Sequence, residues 1–150
     1  MDHFKVRRNV RFFFRILKTK QIPMMRDITT LKDVHLLVDT FYAKVMKDQT
    51  IGFFFNDRLE GKWDAHHKKL YRFWHTVLLR RPDYFGNPVP IHFNMGLKKE
   101  HFDHWLKIWC STVDELYEGT VAERAKFRGY TIARAFYSKI RKVDGRLSEE

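Results

Sequence analysis

Apolar side chains recur every three or four residues along most of this chain, which is the spacing that places them on one face of an α-helix. A first helix is predicted to begin after Thr30, a residue suited to capping, and to end near Asp48. The aromatic segment 51–57 follows as a predicted connection, either irregular or a single helical turn. The apolar face of the first helix comprises Val34, Leu37, Val38, Phe41, Tyr42 and Val45.

Three further helices are predicted downstream, from about Trp63 to Leu79, Lys98 to Tyr117 and Val121 to Val143, with a frayed tail after the last. Proline and glycine within 81–90 predict a long loop with at most a short helix around His92. No alternating strand pattern and no internal repeat competes, so the predicted fold class is all-α. The predicted inward face of the second helix comprises His66, Leu70, Phe73, Trp74 and Val77. That of the third helix comprises Phe102, Trp105, Trp109 and Val113, and that of the fourth comprises Ala125, Gly129, Ile132, Phe136 and Ile140.

The length and composition fit one domain with a cofactor-sized interior. A chain of 150 residues can bury a core of its own, and 16% aromatic content with 14 Phe would cover large flat surfaces. Cys110 is the single cysteine, which excludes an internal disulfide and is compatible with a reducing cytoplasm. Charged residues interrupt every apolar run, so the sequence predicts a soluble, cytoplasmic protein.

The net charge of +11 is concentrated in an N-terminal extension, residues 1–23, which holds seven Lys and Arg against Asp2 alone. This distribution makes nucleic acid an unlikely partner of the remaining domain, 24–150. Three interpretations of the extension stay open: a basic amphipathic helix that contacts a membrane surface or a partner, a helix packed on the domain, or upstream sequence not normally translated. The Met24-Met25 pair supports the third interpretation.

Two histidines lie on either side of an aromatic-lined helical segment, in a pattern that predicts a haem pocket. His92 ends the constrained segment Gly-Asn-Pro-Val-Pro-Ile-His, where backbone geometry would hold its imidazole, while His66 shares the apolar face of the second helix. Haem needs one neutral imidazole, an apolar cavity and donors facing a bound ligand. An aromatic-rich core with a surface histidine is the competing interpretation. The aromatic residues able to face the space between the two histidines are Phe41, Tyr42, Phe73, Trp74 and Trp105.

A zinc site is the weaker alternative for the remaining histidines. His101 and His104 have the spacing to chelate one ion from a helix, but only Asp64 and Asp103 offer nearby carboxylates for the histidine pairs. Packing is therefore favoured over zinc binding at these positions.

Five short motifs resemble the group III truncated haemoglobins over about residues 26–140. They are FYAKV at 41–45, IGFFFN at 51–56, WDAH at 63–66 with FW at 73–74, GNPVPIH at 86–92 and HFDHWL at 101–106. The seven glycines are never adjacent, unlike the Gly-Gly pairs of the other truncated groups.

The resemblance implies a truncated two-over-two α-helical globin fold around haem b. It implies His92 as the proximal iron ligand, with Tyr42, His66 and Trp105 on the distal side, although His67 directly follows His66 and the choice of imidazole rests on register. Lys69 would be a partner for a haem propionate. The residues implied to line the pocket are Phe41, Phe55, Leu70, Phe73 and Trp74.

A globin of this kind would bind O2, NO or CO and receive electrons from a reductase. Hydrogen bonds donated by Tyr42 and Trp105 would slow O2 release, which favours NO dioxygenation or peroxide chemistry over bulk oxygen transport. The alternative function is a basic all-helical interaction module that binds anionic membrane or nucleic acid without a cofactor.

Overall fold

This computed structural model describes residues 25–147 of the chain, in which five α-helices and one 3₁₀ turn are joined by loops. No strand occurs among those residues, so the predicted all-α class is confirmed. The N-terminal extension, residues 1–23, lies outside the described residues. The helices are α1 Leu31–Val45, α2 Gly52–Leu59, α3 Trp63–Leu79, α4 Lys99–Leu116 and α5 Thr120–Leu147, with the 3₁₀ turn at Pro90–His92.

A capping box starts α1 as predicted from Thr30. The Thr30 hydroxyl accepts from the Asp33 amide at 3.2 Å, and the Asp33 carboxylate accepts from the Thr30 amide at 2.8 Å. Burial opposes the charge of Asp33, but hydrogen bonds from Arg26 and from the Thr29 and Thr30 amides outweigh it and hold its pKa well below the ordinary range. The Tyr117 hydroxyl donates to the Asp33 carbonyl at 3.1 Å, which ties the end of α4 to the start of α1.

The segment after α1 is a two-turn helix, and the prediction of an irregular or single-turn connection was wrong. The Asp48 carboxylate holds the turn before α2, since it accepts from the amides of Thr50 at 2.8 Å and Ile51 at 3.0 Å. Gly52 allows α2 to begin directly against α1, because a Cβ there would lie 2.8 Å from the Val45 carbonyl oxygen.

The four longer helices pack on one another to form the core. α4 packs against α5, α1 packs on α3 and α4, and α3 contacts α5. Trp109 is fully buried where the helices meet, and its indole N–H donates to the Ala125 carbonyl at 2.9 Å. No helix within residues 25–147 has both the length and the apolar character that crossing a bilayer requires.

Helix α5 extends past its predicted end at Val143. Residues 144–147 continue the helix instead of fraying, and the Asp144 carboxylate accepts from the Asn94 amide at 3.3 Å. This contact with the loop before α4 gives the last turn a tertiary anchor that local sequence does not reveal. The predicted inward face of α5 is confirmed at Ala125, Gly129 and Ile140, which are buried.

The Asp27 carboxylate joins the segment before α1 to the N-terminus of α5. It accepts from the amides of Val121, Ala122 and Ile28, each at 2.8 Å. Gly119, with φ +140°, lies against this carboxylate, and a Cβ there would approach the Asp27 Cγ to 2.5 Å. Burial raises the pKa of Asp27, but the three amides outweigh it and the pKa lies below its ordinary value.

Replacing Asp27 by Ala is expected to lower the free energy of unfolding by about 1–2 kcal/mol at neutral pH, because two helix-terminal amides lose their acceptor. Urea denaturation measures this loss, and Glu118→Ala, at an exposed neighbouring position, is the control and should cost under about 0.5 kcal/mol.

The Asp27→Ala cost should also depend on pH. Because the folded pKa is depressed, the contribution of the carboxylate is present above the unfolded pKa of about 4 and is lost as pH falls through the folded value. A cost that stays constant down to about pH 3 would contradict a role for the charge.

Candidate functional site

A cavity of about 570 Å³ lies between α3, α5 and the loop that precedes α4. A smaller chamber of about 260 Å³ adjoins it and shares six wall residues with it. The combined space is in the range of small-molecule and cofactor sites. The six shared residues are Phe55, His66, Ile91, His92, Phe102 and Trp105.

His92 enters the cavity wall from a proline-rich loop. It ends the 3₁₀ turn, and its Nδ1 lies 2.7 Å from the Pro88 carbonyl oxygen. Because a carbonyl only accepts, Nδ1 carries the proton and Nε2 is left with its lone pair. Burial lowers the pKa of His92 more than the backbone contacts raise it, so the neutral, metal-ligating form of the imidazole is favoured.

His66, and not its neighbour His67, faces the cavity. The buried Nε2 of His66 has no hydrogen-bond partner among the described residues, and burial lowers the pKa of this imidazole to about 4. The His67 Nδ1 lies 3.0 Å from the Trp63 carbonyl oxygen, and its Nε2 is 4.0 Å from Asp39 on α1. The sequence left the choice between the two imidazoles open. In the structure His66 lines the cavity and His67 does not.

Tyr42 and Trp105 both line the cavity and interact with each other. Tyr42 is 5% exposed, and burial raises the pKa of its phenol well above the ordinary value despite the opposing hydrogen bond from the Trp105 side chain. The phenol ring also meets the His66 ring edge to face at 5.8 Å. A phenol held neutral in this way keeps a proton that it can donate.

Most of the predicted lining residues are on the cavity wall, and Phe41 is the exception. Its side chain is fully buried behind the wall, with its ring 5.2 Å from Trp105 and 5.1 Å from Trp109, both edge to face. Position 41 shares the inward face of α1 with Tyr42, but its ring packs into the core instead of lining the cavity. The predicted residues that do line it are Phe55, Lys69, Leu70, Phe73 and Trp74.

Sequence reasoning missed the part of the wall that comes from the loop and from α5. Tyr84 and Phe85 lie in a segment without periodicity, and Ile132 and Phe136 were predicted to face inward but not to line a cavity. Two signals could have pointed to this wall: the aromatic pair inside a Pro/Gly loop, and the four-residue spacing of the α5 pair. The lining residues missed in this way include Tyr84, Phe85, Ile91, Ile132 and Phe136, and Arg72 of α3 and Phe102 of α4 were missed as well.

The predicted alternative of a zinc site finds no support in the described residues. The His104 Nε2 lies 2.8 Å from the Asp48 carboxylate, whereas the His101 Nδ1 accepts from the Lys98 amide at 3.0 Å. These two imidazoles are therefore engaged with different partners, and residues 25–147 hold no group of three or more His, Cys, Asp or Glu arranged for a metal ion.

The residues of the cavity fit a haem. His92 offers an unprotonated imidazole nitrogen, and His66 places a buried polar atom without a partner on the same cavity. Large apolar side chains of the wall are open to solvent, with Ile91 63% and Phe85 89% exposed. A haem would cover such surfaces, since it is a large, mostly apolar aromatic ring whose iron accepts an imidazole.

An all-helical fold around a cavity with imidazoles on its walls is the arrangement that defines a globin. The family model of bacterial-like globins matches residues 26–142, and the chain belongs to that family. Membership in the globins implies haem binding and small diatomic ligands.

Two comparisons place the chain among the truncated haemoglobins. It is 30% identical over 113 residues to a group 3 truncated hemoglobin of Campylobacter jejuni subsp. jejuni, covering 73% of this chain and 89% of that protein. The fold is similar to the crystal structure of a group III truncated hemoglobin from Campylobacter jejuni, with a TM-score of 0.71 and 27% identity, covering 78% of this chain and 95% of that chain. The predicted group III resemblance and truncated globin fold are confirmed.

His66 is expected to stay neutral from about pH 8 to about pH 5.5, since burial lowers its pKa to about 4. Carbon-proton correlation NMR of the imidazole rings in the reduced, CO-bound protein measures this titration, with His66→Gln identifying the resonance. The unfolded chain takes up a proton near pH 6.5 and the folded chain does not, so this group lowers folding stability as pH falls toward 4. A ring that titrates near pH 6.5 would contradict the buried placement.

Proposed function

We propose that this chain binds haem b through His92 and receives O2, NO or CO in the space beside Tyr42, His66 and Trp105. The observation that carries the proposal is that all four side chains line one largely apolar cavity. They come from α1, α3, α4 and the loop before α4, so only the folded chain brings them together.

His92 is the proposed proximal ligand because its tautomer and position are fixed. The contact between Nδ1 and the Pro88 carbonyl orients the ring and increases the basicity of Nε2. The rigid φ angles of Pro88 and Pro90 limit the movement of this loop. The ring of Phe136 lies 5.3 Å from the His92 ring and supports it from α5.

Apolar residues of the wall would pack against the haem ring, and cations at the rim would interact with its propionate carboxylates. Phe55, Leu70, Phe73 and Trp74 give apolar and aromatic surface on the walls. Lys69 and Arg72 line the same cavity and are exposed, so their cations are available to the propionates at a small energetic gain in water.

When bound, the haem would supply an iron centre that takes diatomic ligands and exchanges electrons with them. The Tyr42 hydroxyl then acts as a donor toward the ligand, because burial keeps it protonated and the Trp105 indole already donates to its oxygen. His66, neutral and with no hydrogen-bond partner for its Nε2 in the described part of the chain, completes the polar side of the cavity.

We infer a reactive role for this protein instead of bulk oxygen transport. Two donors facing the ligand, the Tyr42 hydroxyl and the Nε2 position of His66, worth about 1–2 kcal/mol each, would slow O2 release by roughly 10- to 1000-fold. Slow release suits NO dioxygenation or peroxide-type reactions, with electrons from a reductase in the cytoplasm, where the single Cys110 would stay reduced. The alternative of a basic module without a cofactor leaves the cavity and its four converging polar side chains without a role.

Replacing His92 by Gly is expected to abolish native haem ligation, since the only proposed axial imidazole is removed. Absorption spectra of the ferric, reduced and CO-bound forms measure this, and added imidazole should restore the wild-type bands. His35→Gly, at a partly buried site outside the cavity, is the control and should leave all three spectra unchanged. A native five-coordinate spectrum in His92→Gly without imidazole would contradict the assignment.

Replacing Tyr42 by Phe is expected to raise the O2 dissociation rate several-fold, about 5- to 30-fold for one lost donor of 1–2 kcal/mol. Stopped-flow displacement of O2 by CO measures the rate. The matched control is Tyr71→Phe, because that hydroxyl donates to Asp39 and lies outside the cavity wall. Equal rates for Tyr42→Phe and the wild type would remove Tyr42 from the proposed distal set.

A further inference from the structure

A second cleft, of about 460 Å³, lies between the C-terminal half of α3 and α5. It stands back to back with the haem cavity, because Phe73 and Ile132 line both. Three arginines and a short apolar wall face it. The lining residues are Phe73, Thr76, Val77, Arg80, Arg124, Arg128, Thr131 and Ile132.

Within residues 25–147, no Asp or Glu lines this cleft. Among the described residues, no carboxylate lies within salt-bridge distance of Arg80, Arg124 or Arg128. Asp27 is the acid whose charge is felt at Arg124, but its oxygens are occupied by three backbone amides. The cleft therefore gathers positive charge that the fold does not neutralise.

The three arginines are held differently. Arg124 donates to the Leu78 carbonyl at 3.3 Å, which fixes its guanidinium against the end of α3 and leaves other N–H groups for a ligand. Arg80 follows α3 in the left-handed conformation, with φ +55°. Arg80 and Arg128 are both exposed, so their side chains are available to solutes.

A second basic groove, of about 720 Å³ on another face of α5, shows the contrast. There Lys99 pairs with Asp103 at 2.5 Å, Arg134 donates to the Tyr130 hydroxyl at 2.9 Å, and Arg141 stacks over the Tyr137 ring at 5.8 Å. Three of the four cations of that groove are thus engaged within the protein, whereas no side-chain partner of Arg80 or Arg128 occurs among residues 25–147. The two sets provide an internal comparison with equal charge.

We propose that the arginine cleft binds a phosphorylated anion, either inorganic pyrophosphate or the diphosphate group of a nucleotide. Guanidinium groups match phosphate oxygens with paired N–H donors, and three of them suit a ligand with several negative charges. Phe73 and Val77 give an apolar wall on which an organic moiety could rest. This proposal does not depend on haem binding.

The test is isothermal titration of pyrophosphate into the haem-loaded full chain in a buffer without phosphate. Saturable binding of one pyrophosphate per chain is expected, weakening as salt is added. The double variant Arg80→Gln/Arg128→Gln should bind at least about tenfold more weakly, since charged hydrogen bonds are lost. The control, Arg134→Gln/Arg141→Gln, removes the same charge from the other groove and should stay within about twofold of the wild type.

Three outcomes would overturn the proposal: no saturable binding, equal losses in the two double variants, or binding unaffected by Arg80→Gln/Arg128→Gln. Equal losses would mean general attraction to a basic protein. Circular dichroism checks that each variant keeps its helices, and the two single substitutions, at exposed positions, replace the double variant if it unfolds.

A parallel titration with ADP identifies the source of the phosphate. Affinity equal to that of pyrophosphate would assign the cleft to the diphosphate alone, and tighter binding would assign it to a nucleotide resting on Phe73 and Val77. In both cases Arg80→Gln/Arg128→Gln must weaken the binding of ADP. If this variant binds ADP as tightly as the wild type does, ADP binds outside the arginine cleft.

Discussion

The arrangement of the helices depends on the burial of Trp109. Its indole N–H satisfies the Ala125 carbonyl on α5, and its ring stacks on Trp74 of α3 at 4.1 Å and lies parallel to Trp105 of α4 at 5.8 Å. α5 approaches this closely only because residue 129 is glycine, where a Cβ would lie 2.5 Å from the Trp109 ring. Since Trp74 and Trp105 also line the cavity, the contact that closes the core fixes part of the site as well. Core packing and cofactor binding are thus parts of one structure.

A neutral interior inside a basic exterior is the second constraint on the site. Burial depresses the pKa of His66 and of His92 and raises that of Tyr42, so each group is favoured in its uncharged form. An uncharged imidazole can ligate a metal, and an uncharged phenol can donate a hydrogen bond. The cations of the cavity wall, Lys69 and Arg72, lie at the exposed rim, where water solvates their charge. The positive charge of the chain therefore does not prevent it from enclosing an apolar cavity.

The sequence predicted the long helices and most of the site because both depend on periodicity. The apolar faces placed Tyr42, His66 and Trp105 inward, and the proline-rich loop singled out His92. Other features depend on contacts that periodicity does not carry: the turn that the Asp48 carboxylate holds before α2, the anchor of the last turn of α5, and the packing that turns Phe41 from the cavity to the core. The loop side chains that complete the wall were missed for the same reason, since residues 83–88 have no regular period.

The cavity also links the stability of the fold to its cofactor. Walls rich in Phe55, Phe73 and Phe136 around about 570 Å³ leave apolar surface without contact partners inside the protein, which costs dispersion energy that a tightly packed core would gain. A ligand that fills such a cavity and binds only the folded state stabilises it by RT ln(1 + [L]/Kd). The helices around it are tied by contacts that do not involve the cavity, such as the Asp27 carboxylate on α5 and the Tyr117 hydroxyl on Asp33. The residues that make these contacts do not line the cavity, so the stability that the contacts supply and the stability that a bound ligand supplies come from different parts of the fold.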